Sequence, residues 1–359
     1  GIRGVYPAFL GVPDRYWTWI PGVVRLAGKL IRRGEVDALY STYPVPSALL
    51  AGLVLKRRYG LPWVVDFRDP WVEGSMPPLR RRFEGLLERR ILFAADRGVC
   101  NTPRMREWFL RRYPALSPER LVTITNGYDE EDMSGAVPAL GGCFEVLYPG
   151  MICAGNRNPE PLLAGVRLAL DENRLRADDL RLTFLGAGAY AVDERFQNQL
   201  DHYDLRRITE VVPARIPYRE ALNRMAGAGV LVVLSEPVGE SDRSRAERQW
   251  SEIQVPAKVY EYLRIGRPLL ALVSGGAVAD LLAETGAGRS VSPADVRGVA
   301  RILGDLYAGR AAVGRAGASV PPGIARYSRR HLSGILAREL DALVGEARPR
   351  VSDAAPESQ

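Results

Sequence analysis

The feature that most constrains this chain is an alternation that runs twice. Short apolar runs of strand length alternate with amphipathic runs of helix length. The first series runs to about residue 130 and the second starts at Phe144. Parallel strands need crossover helices, and these bury both faces of the sheet, so such an alternation predicts a doubly wound α/β domain. Two series predict two such domains, and 359 residues are enough for both.

In the first series, Asp14 to Arg33 reads as an amphipathic helix. Its apolar residues, Trp17 and Trp19 among them, suit either core packing or contact with a membrane or hydrophobic acceptor. Val36 to Tyr40 and Pro62 to Phe67 read as strands. Pro46 to Tyr59 reads as a helix that opens on proline and stops at Gly60. In the next helix, Leu79, Phe83, Leu86, Leu87 and Ile91 share a face that is expected to meet the core, with arginines opposite. Arg97–Cys100 and Leu121–Thr125 read as strands around a helix from Pro103 to Tyr113.

Residues 1–135 are taken as the N-terminal domain and 136–142 as a Pro/Gly-rich linker. Residues 143–320 form the C-terminal domain. Residues 321–347 are a helical segment expected to pack back on the first domain, and 348–359 a disordered tail. In the second series, strands are expected at Phe144–Tyr148, Leu180–Leu185, Val230–Leu234 and Leu269–Val273. Helices are expected at Pro159–Leu170, Tyr218–Ala226, Lys258–Ile265 and Val278–Glu284.

Two isolated histidines, His202 and His331, argue against a zinc site and against Ser-His-Asp catalysis. Three cysteines without metal-type spacing read as reduced thiols. The formal charge is +7, with arginines clustered at residues 80–82, 89–90 and 111–112. Such clusters are either solvated helix faces or a patch for phosphates, nucleic acid or anionic lipid.

Three segments can carry chemistry. Lys258 and Glu261 lie one turn apart at the start of a short helix, where a cation beside free N–H groups suits a diphosphate and a carboxylate suits sugar hydroxyls. A helical ion pair without ligand is the bland alternative. Gly150, Arg157 and Asn158 sit in a loop that opens a helix, and Gly186 follows the next strand; together they make a candidate anion site. Asp66, Arg68 and Asp69 end a buried strand, where a base or an acceptor-holding group can stand. An Asp–Arg pair that only orders the loop is the competing reading.

These segments, in this order, resemble the family-4 (group 1) retaining glycosyltransferases of the GT-B fold. Residues 37–52 and the run Val64-Val-Asp-Phe-Arg-Asp-Pro-Trp71 look like the acceptor domain. Ile124-Thr-Asn-Gly-Tyr-Asp129 looks like the segment before the hinge. Lys258-Val-Tyr-Glu-Tyr-Leu-Arg-Ile-Gly-Arg-Pro268 looks like the donor-site helix.

The resemblance implies two Rossmann-like domains facing a cleft, and transfer of a sugar from a nucleotide diphosphate-sugar with retention and no metal. It implies a saccharide or lipid-linked acceptor in cell-envelope or exopolysaccharide assembly. It assigns the ribose hydroxyls to Glu261 and the diphosphate to Arg157 and Lys258. The expected location is cytoplasmic, at the inner face of the plasma membrane, with peripheral association with anionic lipid and no nucleic-acid partner. Two departures stand out. Ile253, beside Glu252, occupies the place, eight positions before Glu261, where the family often carries the first of two glutamates. The family's opening strand and glycine-rich loop do not precede Asp14, so a missing N-terminal segment is expected. The alternatives are a nucleotide-sugar 2-epimerase of the same fold and a non-catalytic basic binding module.

Overall fold

A computed structural model describes residues 13–72, 76–133, 142–237, 242–316 and 320–347. The helices are α1 Ile20–Arg32, α2 Pro46–Tyr59, α3 Pro78–Ala94, α4 Pro103–Arg112, α5 Glu130–Met133, α6 Glu160–Asp171 and α7 Glu194–His202. They continue with α8 Tyr218–Gly227, α9 Asp242–Ile253, α10 Lys258–Ile265, α11 Ala277–Thr285, α12 Val296–Ala316 and α13 Arg329–Ala347. The strands are β1 Leu39–Tyr43, β2 Trp63–Phe67, β3 Arg97–Cys100, β4 Leu121–Thr123 and β5 Phe144–Pro149. They continue with β6 Leu180–Leu185, β7 Thr209–Val212, β8 Val230–Leu234, β9 Leu269–Leu272 and β10 Gly288–Val291.

The chain divides into two units between Thr125 and Asn126, and residues from Ser333 onward cluster with the first. The boundary expected at 135 therefore falls earlier. The reason is local: Tyr128 bridges to Ser328, and Glu130 on α5 pairs with Arg264 on α10 at 2.9 Å. These contacts tie 126–133 to the second unit. Residues 136–141 of the expected linker, and the tail 348–359, lie outside the described residues. On α13, Glu339 pairs with Arg97 of β3 at 2.7 Å.

The first unit is a parallel sheet in the order β1-β2-β3-β4. The first strand lies three residues later than its expected start at Val36, because the polar Glu35 and Asp37 stay in the connection and β1 runs on through Ser41 and Thr42. Trp63, Val64, Val65, Asp66 and Phe67 of β2 are all buried, as a strand covered on both faces must be. Asp14 accepts from the amide and hydroxyl of Ser47 at 2.6 and 2.7 Å, which fixes the entry segment on the first turn of α2. The Trp17–Trp19 segment is a 3₁₀ turn with both tryptophans exposed, so it does not pack into the core.

Helix α3 departs most from expectation. Its turn-by-turn periodicity is as read, but only part of the expected face meets the core: Ile91 is buried and Leu87 packs against the core, whereas the earlier turns face outward. Leu79, Phe83 and Leu86 are exposed at 83%, 47% and 54%, while Glu84 and Glu88 are buried at 1% and 0%. The buried glutamates answer a demand made by the loop after β2. Glu84 accepts from the Trp71 indole at 2.7 Å and from Arg80 at 2.6 Å. Glu88 accepts from Tyr113 at 2.6 Å, and from Arg112 and the Val72 amide at 3.2 Å each. Buried donors left without acceptors are costly, so polar residues win this face. Burial pushes the Glu88 carboxyl upward, against the pull of its Tyr113 and Arg112 partners.

The second unit is a parallel sheet in the order β10-β9-β8-β5-β6-β7. The edge strands β7 and β10 are additional to the four read from the sequence. One apolar cluster packs α6 and α12 on the sheet, and another packs α8, α10 and α11. The order reverses between β5 and β8. In open α/β sheets such a reversal opens a crevice at the carboxyl ends of the strands.

Candidate functional site: a cavity in the second unit

A cavity of about 800 Å³ lies at that reversal. Gly150 after β5, Leu185 and Gly186 at the end of β6, and Leu234 and Ser235 at the end of β8 line it. Its walls bring in Arg157, Arg215, Tyr218, Trp250, Lys258 and Glu261. Of the residues expected to hold a donor, Gly150, Arg157, Gly186, Lys258 and Glu261 therefore meet in one place. Asn158 does not line the cavity. Its Oδ1 accepts from the Glu160 amide at 3.0 Å, so it caps α6 and sets the loop that carries Arg157.

Lys258 stands at the first turn of α10. Its Nζ donates to the Pro149 carbonyl at 3.1 Å and lies 4.4 Å from the centre of the Tyr148 ring. The same carbonyl accepts from Tyr262 at 3.1 Å. No carboxylate pairs with this ammonium among the described residues. Part of its surface is open, yet crowding by neighbouring atoms, reinforced by Arg157, brings its pKa down to about 7. A Cβ at Gly150 would meet Nζ at close range, so a side chain there would displace the ammonium from its present place. Gly186 has φ +67°, which lets the chain turn tightly at the mouth of β6.

Glu261, one turn on, accepts from Tyr218 at 3.1 Å. Burial raises its pKa, while Tyr218 and Arg329 act the other way. Tyr218 was not singled out from the sequence. It opens α8 beyond the unread strand β7, and only the fold brings it to Glu261.

Ile253 is buried, and neither it nor Glu252 lines the cavity. Ser251 and Gln254 do. That wall offers a hydroxyl, an amide and the Trp250 ring. Glu261 is the one carboxylate among the described lining residues.

In the first unit, Asp66 is 1% exposed and accepts from Tyr40 and, at 2.8 Å, from Arg68. Its burial corrects its place among groups expected to touch a substrate: it is a covered counter-charge that fixes two neighbours. Burial raises its pKa, and Tyr40 is in turn pushed up to about 12 by its own burial and by Asp66. Asn101 donates to the Arg68 carbonyl. Arg68 and Asp69 remain partly exposed at the carboxyl end of β2. Trp71 and Val72, further along this loop, are held by Glu84 and Glu88 of α3.

The fold defines the class: two parallel-sheet α/β units of the GT-B type. Residues 3–127 match the family model described as glycosyl transferase 4-like domain. A search of curated proteins finds no match. Among solved structures, a glycosyltransferase from Rickettsia africae aligns at 12% identity over 96% of this chain and 84% of its own, with TM-score 0.65. Sucrose-phosphate synthase from Thermosynechococcus elongatus aligns at 18% identity over 91% and 79%, with TM-score 0.60. Anabaena HepE in complex with UDP aligns at 15% identity over 94% and 84%, with TM-score 0.61. Residues 3–127 thus resemble a glycosyl transferase 4-like domain, and the two units together have the GT-B fold.

Proposed function

We propose that the chain transfers a sugar, with retention, from a nucleotide diphosphate-sugar to a saccharide or lipid-linked acceptor in cell-envelope or exopolysaccharide assembly. The cavity of the second unit is the donor site. The observation that carries this reading is the meeting of Arg157 and Lys258 at the sheet's reversal, with Lys258 lacking a carboxylate partner among the described residues. A pair of cations at helix starts is suited to a diphosphate. The UDP in HepE supports this choice of ligand class.

In this reading Arg157 and Lys258 hold the diphosphate, and Glu261, oriented by Tyr218, receives the ribose hydroxyls. As the bond from the sugar's anomeric carbon to the diphosphate breaks, charge gathers on the leaving oxygen. Cations already in place stabilise it, so no metal is required. The acceptor hydroxyl attacks the same face and passes its proton to the departing phosphate. Arg68 and Asp69 position the acceptor, and the protein works at the cytoplasmic face of the membrane. Neither His202 nor His331 lines the cavity, which weighs against an epimerase that uses histidine there.

The test is calorimetry with UDP, GDP and ADP and their sugar derivatives, followed by product analysis with and without acceptor. Tight binding of one diphosphate, lost in Lys258→Ala, is expected. A folded protein that binds none of them overturns the reading.

A further inference from the structure

The outward face of α3 is an exposed apolar feature that the proposed chemistry leaves unused. Leu79, Phe83 and Leu86 recur at helical spacing and are all exposed. Arg82 and Arg90 fall on the same stripe, and Arg89 beside it; all three are exposed. The helix carries five arginines and two glutamates. Both glutamates face inward, so its solvent side carries positive charge and no negative charge. Arg80 also reaches the Pro13 carbonyl at 3.3 Å, which brings the chain just before the exposed Tyr16, Trp17 and Trp19 up to the first turn of α3.

We propose that this face of α3, with Leu79, Phe83 and Leu86 set among Arg82, Arg89 and Arg90, docks the first unit on an anionic lipid surface. The purpose of docking rests on the transferase reading above; its geometry rests on α3 and its neighbours alone. Two features select lipid as the occupant. Long arginines can spread toward headgroups while the bulky apolar side chains between them enter the acyl boundary. A second copy is disfavoured, because a two-fold contact would set arginines against arginines. No described helix is long and apolar enough to cross a membrane, so the contact is lateral.

The experiment is co-sedimentation of the full chain with phosphatidylglycerol-containing vesicles and with pure phosphatidylcholine vesicles across a salt series. Binding to the anionic vesicles, weakened by salt, is expected. The triple variant Leu79→Ser, Phe83→Ser, Leu86→Ser should lose at least about tenfold in partitioning. Arg82→Glu with Arg89→Glu should lose a similar amount and flatten the salt dependence. These side chains are exposed, and each variant's fold is checked by circular dichroism. Nucleotide affinity is measured in parallel, so failure of the donor reading and failure of docking are separate outcomes. Absence of vesicle binding at low salt, equal binding by the triple variant, or an apolar-dependent dimer in its place overturns the proposal.

Discussion

The two units solve opposite problems with the same α/β architecture. The second hides apolar residues on both faces of its sheet and leaves a charged cavity open at the strand ends. The first turns carboxylates inward on α3 and leaves leucine and phenylalanine outside. The second therefore leaves Arg157, Lys258 and Glu261 together at an open cavity. In the first, burial is spent on fixing one loop, and the free apolar surface faces outward. A helix's polar face is thus not always its solvent face, because a loop rich in buried donors can claim it.

The sharpest way to break this comparison is to strip charge from the cavity. Lys258→Ala should weaken nucleotide diphosphate binding by about a hundredfold, or ~3 kcal/mol, in calorimetry, while unfolding of the first unit is unchanged. Conversely, Glu88→Ala leaves Tyr113, Arg112 and the Val72 amide without their buried acceptor. It should destabilise the first unit by about 3 kcal/mol in urea unfolding and leave nucleotide affinity intact. Equal loss in both assays for either variant would show that the units do not divide the work.

Smaller effects sharpen the picture. Glu261→Ala should cost about tenfold in nucleotide-sugar affinity, and Tyr218→Phe only about threefold, since Tyr218 acts through Glu261. The pH dependence follows from Lys258. Its pKa in the folded protein is about 7, against the ordinary 10.5. Between those values the unfolded chain holds the extra proton, so stability of the ligand-free second unit should rise with pH across this window. Donor affinity should move the other way and strengthen as pH falls toward 7, because the diphosphate is held best by the ammonium. Lys258→Met should remove both slopes, as measured by thermal unfolding and titration at several pH values.

Much of the second unit was legible in the sequence. Central strands β8 and β9 are continuous apolar runs, β5 and β6 keep at least four apolar residues in six, and Lys258 and Glu261 share a helix at one-turn spacing. The edge strands β7 and β10 were not, because Thr209, Glu210, Arg289 and Ser290 interrupt the apolar run. For α3 the period was legible and the phase of its first turns was not. Periodicity reports that two faces differ, whereas the partners that decide which one turns inward, Trp71, Val72 and Tyr113, lie outside the helix. Tyr218 and Trp250 were hidden for the same reason: each reaches Glu261 or the cavity only through the fold.

The missing Cβ at Gly150 has a consequence for how the sequence can drift. The space a side chain would fill there is already taken by the Lys258 ammonium. A larger residue at 150 would shift the ammonium from the Pro149 carbonyl, and a shorter residue at 258 would free that space. Positions 150 and 258, far apart in the chain, are therefore coupled through one contact. A relative that keeps the cation should keep the glycine, and one that has lost both should have found another way to hold the phosphates.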